Sequence, residues 1–140
     1  MADKMRWRYG DTNPVQVNVL SETIIEIGDL VCLSGRAIKP MTDLRFMADR
    51  FLGVAMQWSR EGDATPIRIA TTGVFEFDCD PGGEAQIGHP IGWNCRADNQ
   101  TVVLHGPPCC PRIGRADKYK RNGESTILVR IFSSVMSPVF

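Results

Sequence analysis

The chain has 140 residues, with 16 Lys and Arg against 16 Asp and Glu, and 43% of its residues are hydrophobic. At this length a folded chain buries roughly 68% of the surface that its unfolded form exposes, so one core suffices and no disulfide staple is needed. The formal net charge of zero argues against a generally basic nucleic-acid binder, although local charged patches are compatible with it.

No segment has the features of a membrane span or a secretory signal. The longest apolar run covers residues 30–33, against the ~20 residues that a membrane helix needs. Residues 1–8 lack the apolar stretch of a signal peptide, so we expect the chain to work where it is made. The cysteines are odd in number and lack C-x-x-C spacing, which favours reduced thiols in a cytosolic chain. They are Cys32, Cys79, Cys95, Cys109 and Cys110.

Period-two alternation indicates short β-strands along the chain. Val15, Val17 and Val19 alternate with polar residues, which predicts a strand with one buried face. Eight or more short strands separated by turn residues indicate an all-β barrel or sandwich. The other predicted strands cover residues 24–27, 30–33, 51–57, 66–70, 74–77, 101–104 and 126–132.

Turn-forming residues separate these runs. Gly, Asn and Asp tolerate positive φ, and Pro fixes its own φ, so clusters of them predict turns. Such clusters lie at positions 28–29, 61–63, 81–83, 98–99 and 122–123. One short helical segment is predicted over residues 41–50, where Leu44 and Met47 share one side.

A residue pattern that recurs within the chain, which we call the internal echo, predicts a duplication. The L-G-V-A of residues 52–55 recurs as the I-G-R-A of residues 113–116, at an offset of 61. The I-R-I of residues 67–69 matches the V-R-I of residues 129–131 at an offset of 62. A Gly within a strand marks a bulge or a close backbone approach, which we expect in each copy. We therefore expect two similar halves, at about residues 24–78 and 84–132, that close one core; the alternative is chance reuse of β-turn patterns.

Nine short motifs follow one another in a fixed order over residues 24–132. They are I-G-D-x-V, L-G-V-A, E-G-D, I-R-I, T-G-V-F-E-F, I-G-x-P-I-G-W, I-G-x-A, N-G-E and V-R-I. This order resembles that of the capsid cement, or head decoration, proteins of tailed bacteriophages. Its carriers here are Gly28-Asp29, residues 53–55, 73–77 and 88–93, and Ile113-Gly114 with Ala116. Cys109-Cys110 between prolines and a Trp- and Arg-rich N-terminus depart from the family pattern.

The resemblance implies a small β-barrel-like protein on the outside of a phage head. Such a protein is usually an oligomer at symmetry axes between major capsid subunits, and it holds the expanded shell together against the pressure of the packaged DNA. Relatives have sometimes been labelled recombinases. This sequence has no G-x-x-x-x-G-K-[ST] phosphate cradle, so an ATP-driven recombinase would have no nucleotide site here.

The candidate catalytic and metal motifs are all incomplete. Asp78 and Asp80 open a segment like a calcium loop, but His89 stands at position twelve, where a bidentate Glu is expected. His105 with Cys109 and Cys110 lacks the two separated ligand pairs of a zinc site. The two histidines lie in no recognisable nucleophile motif. We therefore expect no catalytic, cofactor or metal site.

Charged residues cluster in two patches of opposite sign. We expect these patches to complement neighbouring subunits or the shell, where opposite charges set orientation more than affinity. The alternatives are a solvated hairpin, or a nucleic-acid grip in which Tyr119 stacks a base. The basic strip consists of Arg112, Arg115, Lys118, Lys120 and Arg121 beside Asp117, and the acidic turn of Glu76, Asp78, Asp80 and Glu84.

Both ends of the chain are candidate contact segments. Arg6, Trp7, Arg8 and Tyr9 are of the residue types enriched at interface hot spots. One hypothesis places residues 1–14, as an extended arm, on a neighbouring subunit or on the capsid. The alternative packs Trp7 on its own barrel. Phe140, at the end of the C-terminal tail, is a further contact candidate.

These observations together predict an all-β, compact, β-barrel-like domain of short antiparallel strands over residues 15–140, after the N-terminal arm. The expected function is that of a non-enzymatic cement protein on the outer capsid surface, made in the cytoplasm of a bacterial host. The expected partners are the phage major capsid protein and further copies of the chain, as a homotrimer or alternatively a dimer, with no membrane. The alternative functions are a small β-barrel nucleic-acid-binding module and a small hydrolase.

Overall fold

A computed structural model describes residues 5–21, 23–41, 51–63, 65–94, 100–104 and 112–136. These residues form eleven short strands and no helix. The strands are β1 Trp7–Tyr9, β2 Val15–Val19, β3 Leu30–Ser34, β4 Ala37–Pro40, β5 Phe51–Ala55, β6 Ile67–Ala70, β7 Thr72–Asp78, β8 Pro90–Trp93, β9 Val102–Val103, β10 Arg112–Ala116 and β11 Thr126–Phe132. The prediction of an all-β fold is confirmed.

Five strands form a closed barrel, which we call the first barrel. Their order is β2-β4-β3-β5-β6, and the pairing of β6 with β2 closes the ring. Neighbouring strands are antiparallel except β2 and β4, which run parallel. A closed ring with an odd number of strands cannot alternate direction throughout, so one neighbouring pair has to be parallel. The expectation of antiparallel strands is corrected at this pair.

Five later strands repeat this arrangement, and we call them the second barrel. The order β7-β11-β10-β8-β9 lies within a six-stranded antiparallel sheet whose outer strand is β1. A single parallel bridge between Cys79 and Val102 connects the end of β7 to β9. This bridge has the position that the parallel β2–β4 pair has in the first barrel.

The same backbone hydrogen bonds occur within each barrel, at equivalent positions. Each pair in the second barrel lies 60 or 61 residues after its counterpart in the first. A shared hydrogen-bond register is stronger support for a duplication than recurring turn residues, which β proteins can reuse independently. The equivalent pairs are Ile25–Ser59 with Ala85–Lys120, Gly28–Ala55 with Gly88–Ala116, and Arg60–Asp63 with Arg121–Glu124.

The strand register corrects one offset in the predicted duplication. Ala55 pairs with Ile69, and its counterpart Ala116 pairs with Val129. Ile69 therefore corresponds to Val129 at an offset of 60, whereas the matched I-R-I and V-R-I motifs implied 62. A slip of two residues leaves the alternation of buried and exposed side chains unchanged, so the sequence pattern could not detect it.

The repeated units also begin earlier than the predicted halves at residues 24 and 84. β2 pairs with β6 through Val15 and Ile69, and β7 pairs with β11 through Phe75 and Val129. These first strands, V-Q-V-N-V and F-E-F-D-C, share only their alternation, which is why residue matching did not detect them. The repeated units therefore run from β2 to β6 and from β7 to β11.

Apolar side chains fill both barrels and also join them, so the expectation that the two halves close one core is wrong. Val31, Leu52 and Ile69 belong to a cluster inside the first barrel. A larger cluster fills the second barrel and continues onto the outer face of the first, so the two barrels bury apolar surface against each other. From the first barrel this cluster contains Leu30, Cys32, Met41, Phe51, Val54 and Ala70; from the second it includes Phe75, Phe77, Ile91, Trp93, Ile113 and Ile131.

The glycines of the echoed motif lie where two backbones approach closely, as predicted. A Cβ atom on Gly53 would be 1.8 Å from the carbonyl oxygen of Ala70. A Cβ atom on Gly114 would be 2.1 Å from the carbonyl oxygen of Arg130. The two crossings are equivalent in the duplication, and each requires the absence of a side chain.

Several local predictions differ from the structure. Residues 24–27 do not form a strand; Ile25 makes a single bridge to Ser59 before the turn at Gly28. β1, β4, β8 and β10 are not among the predicted strands. The aromatic arm has no alternation, prolines occur in β4 and β8, and β10 was indicated only by its similarity to residues 52–55. Of the predicted helical segment, Met41 is a buried bend residue and residues 42–50 lie outside the described residues.

Replacing either crossing glycine with alanine is expected to destabilise the protein severely. Gly53→Ala or Gly114→Ala forces a methyl group onto a backbone oxygen, so we expect a loss of about 3 kcal/mol or more in the free energy of unfolding, measured in urea. Gly82→Ala is the matched control, because a Cβ there would meet only a side-chain oxygen of Asp80 at 3.4 Å. A loss below about 1 kcal/mol at both crossings would contradict the close approach.

Candidate functional site

The described part of the N-terminal arm lies along the second barrel of its own chain. β1 pairs with β7, with Trp7 opposite Phe75 and Tyr9 opposite Val74. Trp7 keeps 43% of its surface exposed, and its indole Nε1 donates to the carbonyl of Gly10 at 3.2 Å. This geometry agrees with the alternative in which the arm packs on its own barrel. The surface left exposed on Trp7 can still meet a partner.

Arg6 is buried and ties three segments together. Its Nε donates to the carbonyl of Gly28 at 2.9 Å, Nη1 to that of Glu76 at 3.3 Å, and Nη2 to that of Gln100 at 3.4 Å. Its guanidinium carbon also lies 5.1 Å from the ring centroid of Phe77. Only 6% of Arg6 is exposed, so it is corrected from a contact candidate to an internal connection between the barrels.

Burial dominates the electrostatics of this arginine. Burial lowers the pKa of the Arg6 guanidinium, and the carboxylates of Asp78 and Asp29 oppose that shift. Asp78, predicted as part of an acidic contact turn, is half-buried and acts electrostatically on Arg6. The carboxylate of Asp78 therefore favours the charged form of a buried arginine in its own chain.

The arm and the basic strip, which are far apart in sequence, meet on the outer surface of the second barrel. The hydroxyl of Tyr9 donates to Oδ2 of Asp117. Arg130 donates to Oδ1 of the same carboxylate from Nε at 3.0 Å and Nη2 at 2.9 Å. Lys118 lies 5.8 Å from the Tyr9 ring centroid, and Arg8 pairs with Glu76 at 3.4 Å.

The basic strip does not act as one surface, because Lys120 points inward. Only 2% of Lys120 is exposed, and its ammonium donates to the carbonyls of Pro81, Gly83 and Arg121 at 3.4, 3.0 and 3.1 Å. It fixes the bend at residues 81–83 and leaves the set of contact candidates. The strip members with exposed or partly exposed side chains are Arg112, Arg115, Lys118 and Arg121.

An open groove of about 390 Å³ lies beside two of these arginines. Arg112 and Arg115 line it together with Phe132, which is 48% exposed. Arg115 Nη1 donates to the carbonyl of Gly88 at 2.9 Å, which fixes the position of its guanidinium. The groove is completed by Pro90, Gly114, Ser133 and Ser134.

The acidic turn is organised by local hydrogen bonds. Asp80 is exposed, and its Oδ1 accepts the N–H of Gly82 at 2.9 Å. Gly83 N–H donates to the side-chain oxygen of Asn122 at 3.1 Å. Within the described ranges, no three His, Cys, Asp or Glu side chains come together as they would around a metal ion.

Cys79 and His89 both lie in surroundings that give them a structural role. Burial raises the pKa of the Cys79 thiol, which favours the protonated and unreactive form. His89 Nε2 lies 2.6 Å from the carbonyl oxygen of Leu104 and is engaged with the backbone. His105, Cys95, Cys109, Cys110 and Phe140 lie outside the described residues.

Sequence reasoning missed two residues that organise this surface, Arg130 and Phe132. Both lie at exposed positions of β11, where the alternation of the strand places every second side chain outward. That alternation was the available signal, although it indicates exposure and not a partner. The contact of Tyr9 with Asp117 spans 108 positions, so no local pattern could indicate it.

No protein-family model matches the chain, and no curated protein matches it in sequence. The described residues also contain no helix with the length and apolar character to cross a membrane.

The contact between Tyr9 and Asp117 predicts an alkaline pH dependence. The hydrogen bond to Asp117 is the largest cause that raises the pKa of Tyr9 above its ordinary value near 10. The stability from this contact is therefore complete below pH 10 and is lost as the pH rises through the higher folded-state pKa. Absorbance at 295 nm, measured in a Tyr119→Phe background, should give a midpoint above 10 for Tyr9.

Removing the acceptor tests the cause of this shift. Asp117→Ala in the same background should lower the midpoint towards 10, and Glu76→Ala, which removes an acid from the neighbouring strand, should leave it unchanged. An unchanged midpoint after Asp117→Ala would contradict the assigned contact.

Proposed function

We propose that the chain is a non-enzymatic cement protein that binds the outer surface of a phage head and bridges major capsid subunits. The observation that carries this proposal is the ordered motif set that resembles the one in decoration proteins, together with the structural positions of its glycines. Gly53 and Gly114 provide the two backbone crossings, and Gly28 and Gly88 the equivalent turns with positive φ. Four glycines of the motifs on which the resemblance rests thus hold positions that both barrels require.

The exposed surface supports an adhesive mechanism. Arg8, Tyr9 and Arg130 are held by partners on neighbouring strands or turns before any partner protein binds. A surface ordered in advance loses less conformational entropy on contact than one of mobile side chains. The two barrels bury apolar surface against each other, so the chain would act as one rigid connector between shell subunits.

Oligomerisation belongs to the same proposal. A homotrimer, or alternatively a dimer, would repeat each contact around a symmetry axis and would multiply weak contacts into avidity. Such a protein would be made in the bacterial cytoplasm and would act on the outside of the virion.

Electron microscopy of purified heads tests the proposal. The protein is mixed with expanded heads that lack decoration, and added density is expected on their outer surface, together with a higher temperature of shell disruption. Heads that retain their decoration are the control, because occupied sites should gain no density. Folded protein that adds no density to the undecorated heads would overturn the proposal.

A nucleic-acid-binding module is the alternative that the basic strip favours. It predicts affinity for a labelled 20-nucleotide single strand that falls steeply with salt. The cement proposal expects no such binding in fluorescence anisotropy at 50 mM NaCl. The inward position of Lys120 and the pairing of Arg130 with Asp117 both reduce the positive charge that a phosphate backbone would meet.

A further inference from the structure

The duplication relates one buried face of the first barrel to one exposed face of the second. Leu30 pairs with Val54 and Cys32 with Phe51 across β3 and β5. The equivalent pairs across β8 and β10 are Pro90 with Arg115 and Gly92 with Arg112. Even the register irregularity recurs, since both strand pairs shift between the two paired positions.

The residues at these equivalent positions are more polar and more exposed in the second barrel than in the first. In the first barrel every member of the set is apolar and buried against the rest of the chain. In the second barrel three of the five members are exposed arginines. The equivalent residues are Leu30 with Pro90, Cys32 with Gly92, Phe51 with Arg112, Val54 with Arg115, and Ala70 with Arg130.

The segment that follows β11 reaches the backbone of the first barrel beside this face. Ser134 N–H donates to the carbonyl of Phe51 at 2.8 Å, and the Ser133 hydroxyl donates to the same oxygen at 3.3 Å. Phe51 is the counterpart of Arg112. Within the described residues the corresponding face at Arg112 is the open groove. The face of the first barrel is buried by the apolar cluster that continues from the second barrel, whereas the described residues leave its counterpart at Arg112 and Arg115 open.

The groove has the chemistry for an acidic segment. Arg112 has no hydrogen-bond or ion-pair partner among the described residues, and Arg115 uses Nη1 on one backbone carbonyl, which leaves its other nitrogens as donors. Guanidinium groups bind carboxylates with two parallel hydrogen bonds, and the exposed ring of Phe132 supplies an apolar contact beside them. A segment with carboxylates next to an apolar side chain fits both features.

We propose that the groove between Arg112, Arg115 and Phe132 is the docking site for an acidic segment of the shell protein. The inference rests on the proposed cement function and names the surface through which the chain attaches. A peptide is favoured over nucleic acid for two reasons. A peptide can place an apolar side chain on Phe132 beside its carboxylates, and Asp117 neutralises Arg130, which pairs with Arg115 across β10 and β11, so a phosphate backbone would meet less positive charge.

Charge reversal in the groove tests this assignment. Arg112→Glu/Arg115→Glu should weaken binding to undecorated expanded heads at least about 30-fold in sedimentation assays, because like charges would face the acidic segment. The matched control is Arg36→Glu/Arg68→Glu, which makes the same charge change at exposed positions of the first barrel and should bind within about twofold of wild type. The neutral pair Arg112→Gln/Arg115→Gln, with circular dichroism as the check of folding, provides a second test if the reversed pair does not fold.

Each outcome separates the two proposals. If the wild-type chain does not bind heads, the cement function fails and the docking site fails with it. If wild type and the groove variant bind equally well, the docking site alone is wrong. If the groove variant loses affinity for a 20-nucleotide single strand, or if light scattering shows that it dissociates an oligomer of the isolated protein, the occupant is nucleic acid or a second copy, and the assignment to the shell is overturned.

Hydrogen exchange locates the contact independently of charge. Binding to heads should slow exchange at residues 90–93 and 112–116 and leave residues 67–70 of the first barrel unchanged. Protection confined to other strands would overturn the proposal.

Discussion

Burial of the outer apolar face of the first barrel holds the two barrels together. Leu30, Phe51 and Val54 point away from the interior of their own barrel and are buried only because other parts of the chain cover them. Three further connections close this junction: Arg6 from the N-terminal segment, the side chain of Gln100, and the segment at residues 133–135. The position of both described chain ends follows from the need to cover this one face.

The duplication then explains how one unit produces two different surfaces. Both barrels need a glycine where strands cross and a glycine in the turn before β3 or its counterpart β8, and both units retain these. The outer faces differ, since that of the first barrel is buried by the second barrel, whereas that of the second barrel carries exposed arginines. Arginine at three of its positions is compatible with solvent, and it also provides donors for a partner.

Strands, turns and close backbone approaches were predictable from neighbouring residues. The contacts between segments distant in sequence were not. Alternation and turn residues predicted β2, β5, β6 and β11, and the echoed glycines predicted the two crossings. Arg6 and Lys120 were assigned to the surface because charged residues are rarely buried. Their burial depends on backbone carbonyls from distant segments, and such acceptors have no sequence signal. The register of β11 could not be predicted either, because a slip of two residues preserves its pattern.

Differential scanning calorimetry of the wild-type chain shows whether the two barrels, joined by one apolar junction, unfold as one unit. Burial of the Leu30, Phe51 and Val54 face makes each barrel depend on the other, so we expect a single unfolding transition. The calorimetric and van't Hoff enthalpies of that transition should agree. Two resolved transitions, with one barrel melting while the other stays folded, would contradict the coupling of the barrels through this junction.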